Sequence, residues 1–276
     1  MALKDNFYSL YLRSGYLPLR DALRATTGRA RAVVLCYHRV GERDVLTTTP
    51  DDFRRDMKYL RSRYECVALR DLCQQLRSGR PLRHPMVAVT FDDGYRDNFT
   101  HAVPILQEIQ IPATFFVSTG FMSTDRVFAH DEDDAKIFPN MTWDDLRSMQ
   151  AAGFEIGAHT INHADLGQAD ADQLRSEIDE PLATLNRELG VQPRAFAFPY
   201  GKPHNMTAQA VQLAREAGYY AVMSAYGGDN ARGAHGFPLQ RVDAGNGLLG
   251  WAAWRARVSG LDADYLRLKL QRRINL

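Results

Sequence analysis

Short apolar runs, rich in β-branched and aromatic residues, recur along this chain. Within each run the residues are mostly apolar without alternation, which is typical of strands buried on both faces of a parallel sheet. Seven strands are predicted in this way, over residues 32–37, 86–91, 113–117, 154–158, 195–198, 219–223 and, more weakly, 239–242.

Amphipathic segments lie between the runs. Residues 51–63, for example, place Phe53, Met57 and Leu60 on one helical face. Further helices are predicted over residues 97–109, from Thr142 to Gly153, and over 170–189 and 207–217. The last two segments each precede a glycine, a common helix end.

The alternation of strands with helices favours one α/β domain, built either as a small barrel or as a doubly wound sheet. In both folds the chemistry gathers where the strands end. With 276 residues there is little room for a second domain, so we predict a single domain over residues 1–276 with a core of about 33–242. Residues 119–140 and 225–238 form long irregular segments, which are expected to act as lids or binding edges.

The charge is balanced overall and uneven along the chain. The 34 lysines and arginines and 33 aspartates and glutamates leave a net charge of +1, which argues against nucleic acid as a partner. Residues 1–35 carry six basic side chains against two acidic ones, and residues 251–276 carry the same numbers. Basic N- and C-terminal extensions therefore flank an acidic body.

The cysteines and the N-terminal segment indicate the cellular compartment of the protein. Cys36, Cys66 and Cys73 are odd in number and lack CxxC spacing, so no disulfide framework is expected. No signal-type apolar segment and no run of about 18 apolar residues is present. We therefore predict a cytoplasmic protein with no signal peptide or transmembrane segment.

An acidic pair follows the second predicted strand, in the order Thr90, Phe91, Asp92, Asp93, Gly94. Consecutive residues within a strand face opposite ways, so two adjacent acids converge only where the strand ends and glycine permits a turn. A solvated turn or a helix N-cap is the alternative interpretation.

Two histidines four residues apart, His159 and His163, follow the fourth predicted strand. Imidazoles in this arrangement suit a divalent metal, with a carboxylate as third ligand and solvent in the open position. The alternative is a pair of surface or hydrogen-bonded histidines. Because both motifs end predicted strands of one sheet, we expect them to meet.

Two further strand ends carry candidate groups. Pro199, Tyr200 and Gly201 form a turn whose backbone N–H groups can hold an oxyanion, although a plain turn has the same sequence. The first strand ends at Tyr37 and His38, which places another imidazole at the same rim, where a structural role is the alternative.

Together these residues resemble the polysaccharide deacetylase family, also called the NodB-homology family or carbohydrate esterase family 4. Residues 90–94 are similar to its TFDDG motif, His159 to His163 to its H[ST]xxH motif, and residues 198–201 to the end of its third motif. The resemblance covers about Val33 to Val242 and implies a distorted (β/α)7 barrel.

The resemblance also implies roles. Asp92 corresponds to the general base, and Asp93, His159 and His163 correspond to the metal ligands. The metal with the Tyr200 N–H would hold the oxyanion.

Two departures stand out: Ala197 occupies the position of the usual motif arginine, and Leu239-Gln240-Arg241 replaces the usual histidine segment. Both are shared with the branch that resembles bacterial poly-N-acetylglucosamine deacetylases, where a YH segment supplies the general acid. That segment matches Tyr37-His38, so the acid role goes to His38. Arg241 orients Asp92 or forms a surface salt bridge.

The implied activity is metal-dependent removal of N-acetyl groups from N-acetylhexosamine units of a glycan, which releases acetate. Zn²⁺ is the expected metal for a His2Asp set, and Co²⁺, Ni²⁺ or Fe²⁺ suit the same ligands. The alternatives are an O-acetyl esterase, another amide hydrolase on this fold, or a non-catalytic glycan-binding protein.

The basic termini suggest a further partner. Aromatic and aliphatic residues sit beside arginines in residues 8–17 and again in 265–270. Such segments can lie on an anionic membrane, which would suit an enzyme acting on lipid-linked glycan precursors at the inner membrane face. Alternatively, both segments cap the barrel. The sequence leaves the oligomeric state open.

Overall fold

A computed structural model describes residues 2–132, 136–192, 194–245, 247–248 and 250–261. Most of its strands are short and buried. The strands are β1 (Ala32–Tyr37), β2 (Arg39–Val40), β3 (Thr47–Thr48), β4 (Glu65–Cys66), β5 (Met86–Phe91), β6 (Ala113–Val117), β7 (Glu155–Ala158), β8 (Phe196–Ala197), β9 (Val222–Gly227), β10 (Asp229–Asn230) and β11 (Leu239–Asp243).

The helices form an outer layer and an N-terminal pair. They are α1 (Ala2–Arg13), α2 (Tyr16–Thr26), α3 (Pro50–Arg63), α4 (Leu69–Arg77), α5 (Val103–Ile109), α6 (Trp143–Ala151), α7 (Ala171–Leu189), α8 (Ala208–Glu216) and α9 (Trp251–Val258). Several begin at a residue whose side chain caps the helix. At α6, Thr142 and Asp145 form a reciprocal capping box.

Seven parallel strands close into a barrel within the described residues. Strand β1 pairs with β5 on one side and with β11 on the other, and β6, β7, β8 and β9 complete the ring. The closed barrel is thus the correct one of the two predicted architectures. The short strand β4 adds to the edge of β5, and β10 pairs antiparallel with the start of β1.

Burial explains why the apolar runs became barrel strands. Every residue of β1 and β5 is buried, as expected for strands covered on both faces. On the outer face of the barrel, Phe91 and Phe115 stack with ring centroids 4.6 Å apart, and Phe91 packs against Phe53 of α3 at 5.7 Å. Helix α3 buries Phe53, Met57 and Leu60, the face predicted from the sequence.

Two element predictions need correction. The sixth strand spans Val222–Gly227, whereas the apolar pattern predicted 219–223. Tyr219 lies outside the strand because Gly218, at φ 98°, turns the chain after α8, and the Tyr219 hydroxyl donates to Ile178 O in the helical layer.

The helix predicted over 97–109 begins as a π-helical turn, Asn98–Ala102, before α5. Pro104 lies in the first turn of α5. Because proline has no N–H to donate, the hydrogen-bond ladder of a continuous α-helix would be broken there. The wider turn accommodates the change.

The N-terminal extension is helical where it is described. Helix α2 lies near the end of α9, since Arg20 Nη1 donates to Ser259 O at 2.7 Å. Arg31 Nη1 likewise donates to Val258 O at 2.7 Å. The second membrane candidate, residues 265–270, lies outside the described residues.

Candidate active site

The acidic pair lies where β5 leaves the barrel. The Asp92 N–H still donates to Tyr37 O at 3.0 Å, as in the strand. Asp93 then takes a φ of 76° and Gly94 a φ of 102°, and a Cβ on Gly94 would lie 2.7 Å from Met122 Cε. This turn brings both carboxylates into the protein, where Asp92 and Asp93 are buried. The alternative of a solvated turn is therefore wrong.

The two histidines lie on a tightly curled loop after β7. Thr160 and His163 have φ values of 66° and 54°, which side chains rarely adopt without support. The support comes from Glu177 of α7, a residue that sequence reasoning missed. Its buried carboxylate accepts from the backbone N–H of Ile161 at 2.7 Å and that of Asn162 at 3.0 Å.

Asp93, His159 and His163 converge. The two Nε2 atoms lie 3.3 and 3.2 Å from Asp93 Oδ1. His159 Nδ1 lies 2.8 Å from Ala197 O, and since a carbonyl only accepts, Nδ1 carries a proton, so in the neutral ring Nε2 is left with its lone pair. Within the described residues, both Asp93 oxygens are buried without a partner in hydrogen-bond geometry. This donor set fits a divalent metal, with ligand atoms within 4.8 Å of one another.

Charge around this cluster holds Asp93 ionised. Burial by itself would raise the pKa of Asp93, but the neighbouring His159 and His163 outweigh it and bring that pKa well below its ordinary value. A carboxylate that remains charged at neutral pH is ready to bind a cation.

Asp92 has a different partner, Arg241 of β11. Nη1 and Nη2 of Arg241 each donate to one Asp92 oxygen at 2.6 Å, and its Nε donates to Ser224 O. Arg241 is fully buried, so the interpretation as a surface salt bridge is wrong. Burial would raise the pKa of Asp92, but the charge of Arg241 outweighs it and lowers that pKa.

His38 lies on the other side of Asp92. A ring nitrogen of His38, Cys36 Sγ and an Asp92 oxygen lie within 4.8 Å of one another. Asn98 holds the His38 backbone by donating from Nδ2 to His38 O at 2.8 Å. His38 is only partly buried, while its Nδ1 is buried and has no hydrogen-bond partner among the described residues.

Tyr200 lies at the rim of the same cleft. Its ring packs edge-on against His163, with centroids 5.0 Å apart. Tyr200 adopts a φ of 58° in the turn before Gly201, and no described residue accepts its backbone N–H. This N–H is thus free to donate to a bound group.

The loop that the sequence predicted only as a lid or binding edge supplies two more residues to the site, His130 and Asp131. Residues 119–140 bring His130 Nε2 to 3.8 Å from Asp93 Oδ2. Nε2 also lies 2.7 Å from the Tyr95 hydroxyl, which donates to Asp131. Arg39 Nη1 in turn lies 3.4 Å from Asp131 Oδ1. The sequence position of Tyr95, two residues after Asp93, could have indicated that Tyr95 belongs to the site. Nothing in the sequence identified His130 as its partner.

The strand ends of this barrel carry a buried aspartate paired with arginine and a candidate His2Asp metal site. This arrangement is typical of the class of barrel hydrolases. The sequence pattern of the polysaccharide deacetylase family matches residues 79–222, more than half of the chain. The chain therefore belongs to the polysaccharide deacetylase family, which is metal-dependent.

Individual relatives agree with this assignment. The chain is 25% identical over 224 residues to YxkH of Bacillus subtilis (strain 168), which is named after the same family, and the match covers 81% of this chain and 75% of that protein. It is 24% identical over 224 residues to the poly-beta-1,6-N-acetyl-D-glucosamine N-deacetylase of Escherichia coli (strain K12), covering 68% of this chain. The match covers only 33% of the length of that enzyme.

Among solved structures, IcaB from Ammonifex degensii superposes with a TM-score of 0.67 at 26% identity. The superposition covers 83% of this chain and 96% of that one. The expected NodB-type (β/α)7 barrel is thereby confirmed. Within the described residues, no helix is both long enough and apolar enough to cross a membrane.

Proposed function

We propose that this protein hydrolyses the N-acetyl groups of N-acetylhexosamine units in a glycan, which yields acetate and a free amine on the sugar. The observation that carries the proposal is the pairing of two carboxylates at one strand end. Asp92 is held by Arg241, and Asp93 lies with His159 and His163. Binding alone has no need for a separate base beside a candidate metal site.

Asp93, His159 and His163 would hold the divalent cation. When bound, such a cation polarises a carbonyl and lowers the pKa of water. Zn²⁺ is our proposed metal because two imidazoles and one carboxylate suit it, with Co²⁺, Ni²⁺ or Fe²⁺ as substitutes. The hydrogen bond from His159 to Ala197 O orients that ring for the task.

Asp92 is the proposed general base. It takes a proton from the water that attacks the acetyl carbon. The bidentate contact with Arg241 fixes the orientation of its carboxylate and keeps it charged before the reaction. Arg241 thus acts as a positioning residue for Asp92.

His38 is the proposed general acid. Amide nitrogen leaves poorly unless it is protonated, so the C–N bond breaks as the nitrogen receives a proton. An imidazole titrates near neutrality and suits this donation. The ring lies beside Asp92 at the barrel rim, so acid and base flank one reacting group.

The Tyr200 backbone N–H is the proposed oxyanion donor. The tetrahedral intermediate places negative charge on the former carbonyl oxygen, which a preoriented N–H stabilises. The contact of the Tyr200 ring with His163 supports this assignment, because it keeps Tyr200 beside the metal-ligand cluster.

A β-1,6-linked or related N-acetylglucosamine polymer is the proposed substrate class. Support comes from the Escherichia coli relative, which is named for a poly-beta-1,6-N-acetyl-D-glucosamine. We further infer one catalytic domain over residues 1–276, since α2 and α9 meet through Arg20 and Ser259. The free thiols of Cys36, Cys66 and Cys73 support the proposed cytoplasmic location.

Acetate release from chitooligosaccharides and poly-N-acetylglucosamine, with metal content measured by elemental analysis, tests the proposal. The wild type should bind one metal per chain and release acetate. A His159→Ala, His163→Ala double variant should lose both, whereas the matched control, His84→Ala with His235→Ala at exposed positions, should keep both. Equal metal content in all three proteins would contradict the site. Faster release from O-acetylated than from N-acetylated sugars would favour the esterase alternative.

A further inference from the structure

Helix α2 covers the charged side chain of Arg20 and turns three apolar residues outward. Tyr16, Leu19 and Leu23 share one face by their spacing of three and four residues. Leu19 is 72% exposed and Leu23 is 64% exposed. By contrast, the Arg20 side chain is 12% exposed and reaches Asp21 and Ser259 O. Helices on a protein surface in water normally place these residue types the other way round.

A basic cavity of about 700 Å³ adjoins this face. Leu23 and Arg24 form part of its wall, together with Arg29, Arg31, Asp229 and Arg232. Asp229 pairs with both Arg31, at 2.8 Å, and Arg24, at 3.2 Å. One carboxylate therefore faces four arginines, and the cavity has surplus positive charge.

The buried arginine has hydrogen-bonding capacity to spare. Arg31 is only 3% exposed, and its Nη2 has no hydrogen-bond partner among the described residues. Arg31 is held by Asp229, while the more exposed Arg24, Arg29 and Arg232 are the cavity arginines that a ligand can reach. Phosphate oxygens are suitable acceptors for arginine.

This surface lies at the end of the barrel opposite the candidate active site. Arg29 and Arg31 precede β1, whereas Asp92 and Asp93 follow β5, which runs parallel to β1. The positive region also extends beyond the cavity. The Ala30 N–H donates to Leu82 O at 2.9 Å, and this brings the exposed Arg83 alongside.

We propose that this end of the barrel docks on an anionic lipid bilayer, with Tyr16, Leu19 and Leu23 in the interface and lipid phosphates in the basic cavity. Apolar side chains beside cations are the pattern that binds such a surface, because burial of apolar area and attraction to anionic lipid add together. Charge complementarity selects an anionic bilayer over a neutral apolar partner.

The docked orientation has a consequence that rests on the proposed function. Six-residue strands separate the two ends of the barrel by about 20 Å. The active site then faces away from the membrane. It would meet glycan extended into the aqueous phase, and a sugar directly attached to a lipid headgroup would lie at the wrong end. This differs from the lipid-linked precursor considered from the sequence.

Co-sedimentation of the full chain with vesicles tests the docking. Phosphatidylcholine vesicles with about 30% phosphatidylglycerol should bind the wild type at about 0.05 M salt, and the bound fraction should fall at about 0.5 M salt as charges are screened. Pure phosphatidylcholine should bind at least about tenfold less. Leu19→Glu with Leu23→Glu, and separately Arg29→Glu with Arg232→Glu, should each lower partitioning at least about tenfold.

Controls keep the test specific. Val45→Glu changes an exposed apolar residue between β2 and β3, which follow β1 at the opposite end of the barrel, and Arg175→Glu changes an exposed arginine on α7, so both should bind like the wild type. All variants should release acetate from soluble chitooligosaccharides at the wild-type rate, which separates failure of docking from failure of the proposed function. No binding of the wild type to anionic vesicles at low salt would overturn the proposal. So would a lipid-free dimer that the Leu19→Glu, Leu23→Glu variant abolishes while vesicle binding is absent.

Discussion

Each end of the barrel buries an arginine against an aspartate, yet the two pairs differ in their surroundings. At the carboxyl end, the Arg241 and Asp92 side chains are 0% and 3% exposed. At the opposite end, the Arg31 side chain is 2% exposed while that of Asp229 is 34% exposed. The charge of Asp92 therefore depends wholly on protein groups, whereas water shares in stabilising Asp229.

The pKa values of Asp92 and Asp229 show the consequence of this difference. Burial would raise the pKa of both carboxyls, and in both cases the paired arginine outweighs burial and lowers it. A lowered carboxyl pKa is thus no mark of catalysis. What distinguishes Asp92 is its neighbours, since His38 and Asp93 lie beside it.

The largest contrast between the two ends should come from neutralising each aspartate. Asp92→Asn should retain the metal but lower kcat about 10³-fold, because the base is removed. Asp229→Asn, the matched change, should lower the free energy of unfolding and leave kcat unchanged. Steady-state acetate release with elemental analysis measures both. A fully active, metal-loaded Asp92→Asn enzyme would show that the general-base assignment is wrong.

Removing the proposed acid should have the next largest effect. His38→Ala should lower kcat on an N-acetyl substrate about 10²-fold, near the lower end of the range for a positioned acid or base. The loss should shrink on an activated acetate ester, whose leaving group needs less protonation. Parallel kinetics on the two substrates measure it, and equal losses on both would indicate a structural role for His38.

Replacing the arginines tests the two pairs directly. Arg241→Met should cost about 3 kcal/mol in the free energy of unfolding at neutral pH, because it leaves a buried carboxylate unpaired. In this variant burial acts unopposed by the Arg241 charge, so the pKa of Asp92 rises and the acid limb of the kcat/KM profile moves to higher pH. Arg31→Met is the control, which should lower stability while leaving that limb in place.

The pH dependence of this stability loss has a definite sign. A carboxyl with a lowered pKa stabilises the fold fully above its unfolded pKa of about 4 and loses that contribution as the pH falls through the lowered value. Because the pKa of Asp92 is raised in Arg241→Met, the stability difference between wild type and variant should be largest above that raised pKa and shrink as the pH falls through it toward the lowered wild-type value. Denaturant titrations across this range measure it. A constant difference would contradict the assignment to Asp92.

The smallest effect is expected from the residue that supports the histidine loop. Glu177→Gln keeps the size of the side chain but weakens the acceptor for the Ile161 and Asn162 N–H groups. Metal affinity should fall about 10-fold to 100-fold, as is usual when a group behind a metal ligand is changed. Competition with a chromophoric chelator measures this, and Glu180→Gln on the same helix is the control. Unchanged affinity would remove Glu177 from the site.

Contiguous patterns account for the parts of the fold and the site that could be predicted from the sequence. Apolar runs predicted seven barrel strands because a buried strand is recognised within four to six neighbouring residues. The acidic pair at Asp92 and Asp93 and the histidines at His159 and His163 were evident for the same reason. Each motif lies within five residues, and each ends a strand of one parallel barrel, so their meeting could be expected.

Other features of the site depend on residues that lie far apart in the sequence. Arg241 is 149 residues from Asp92 in sequence, and closure of the barrel through β1 and β11 brings them together. Glu177 and His130 join the site from a helix and a long loop whose sequences carry no motif. The outward face of α2 is set by Arg20, which donates a hydrogen bond to Ser259 O at the end of α9. Contacts between distant segments depend on the packing of the whole barrel, and no local pattern of residues contains that information.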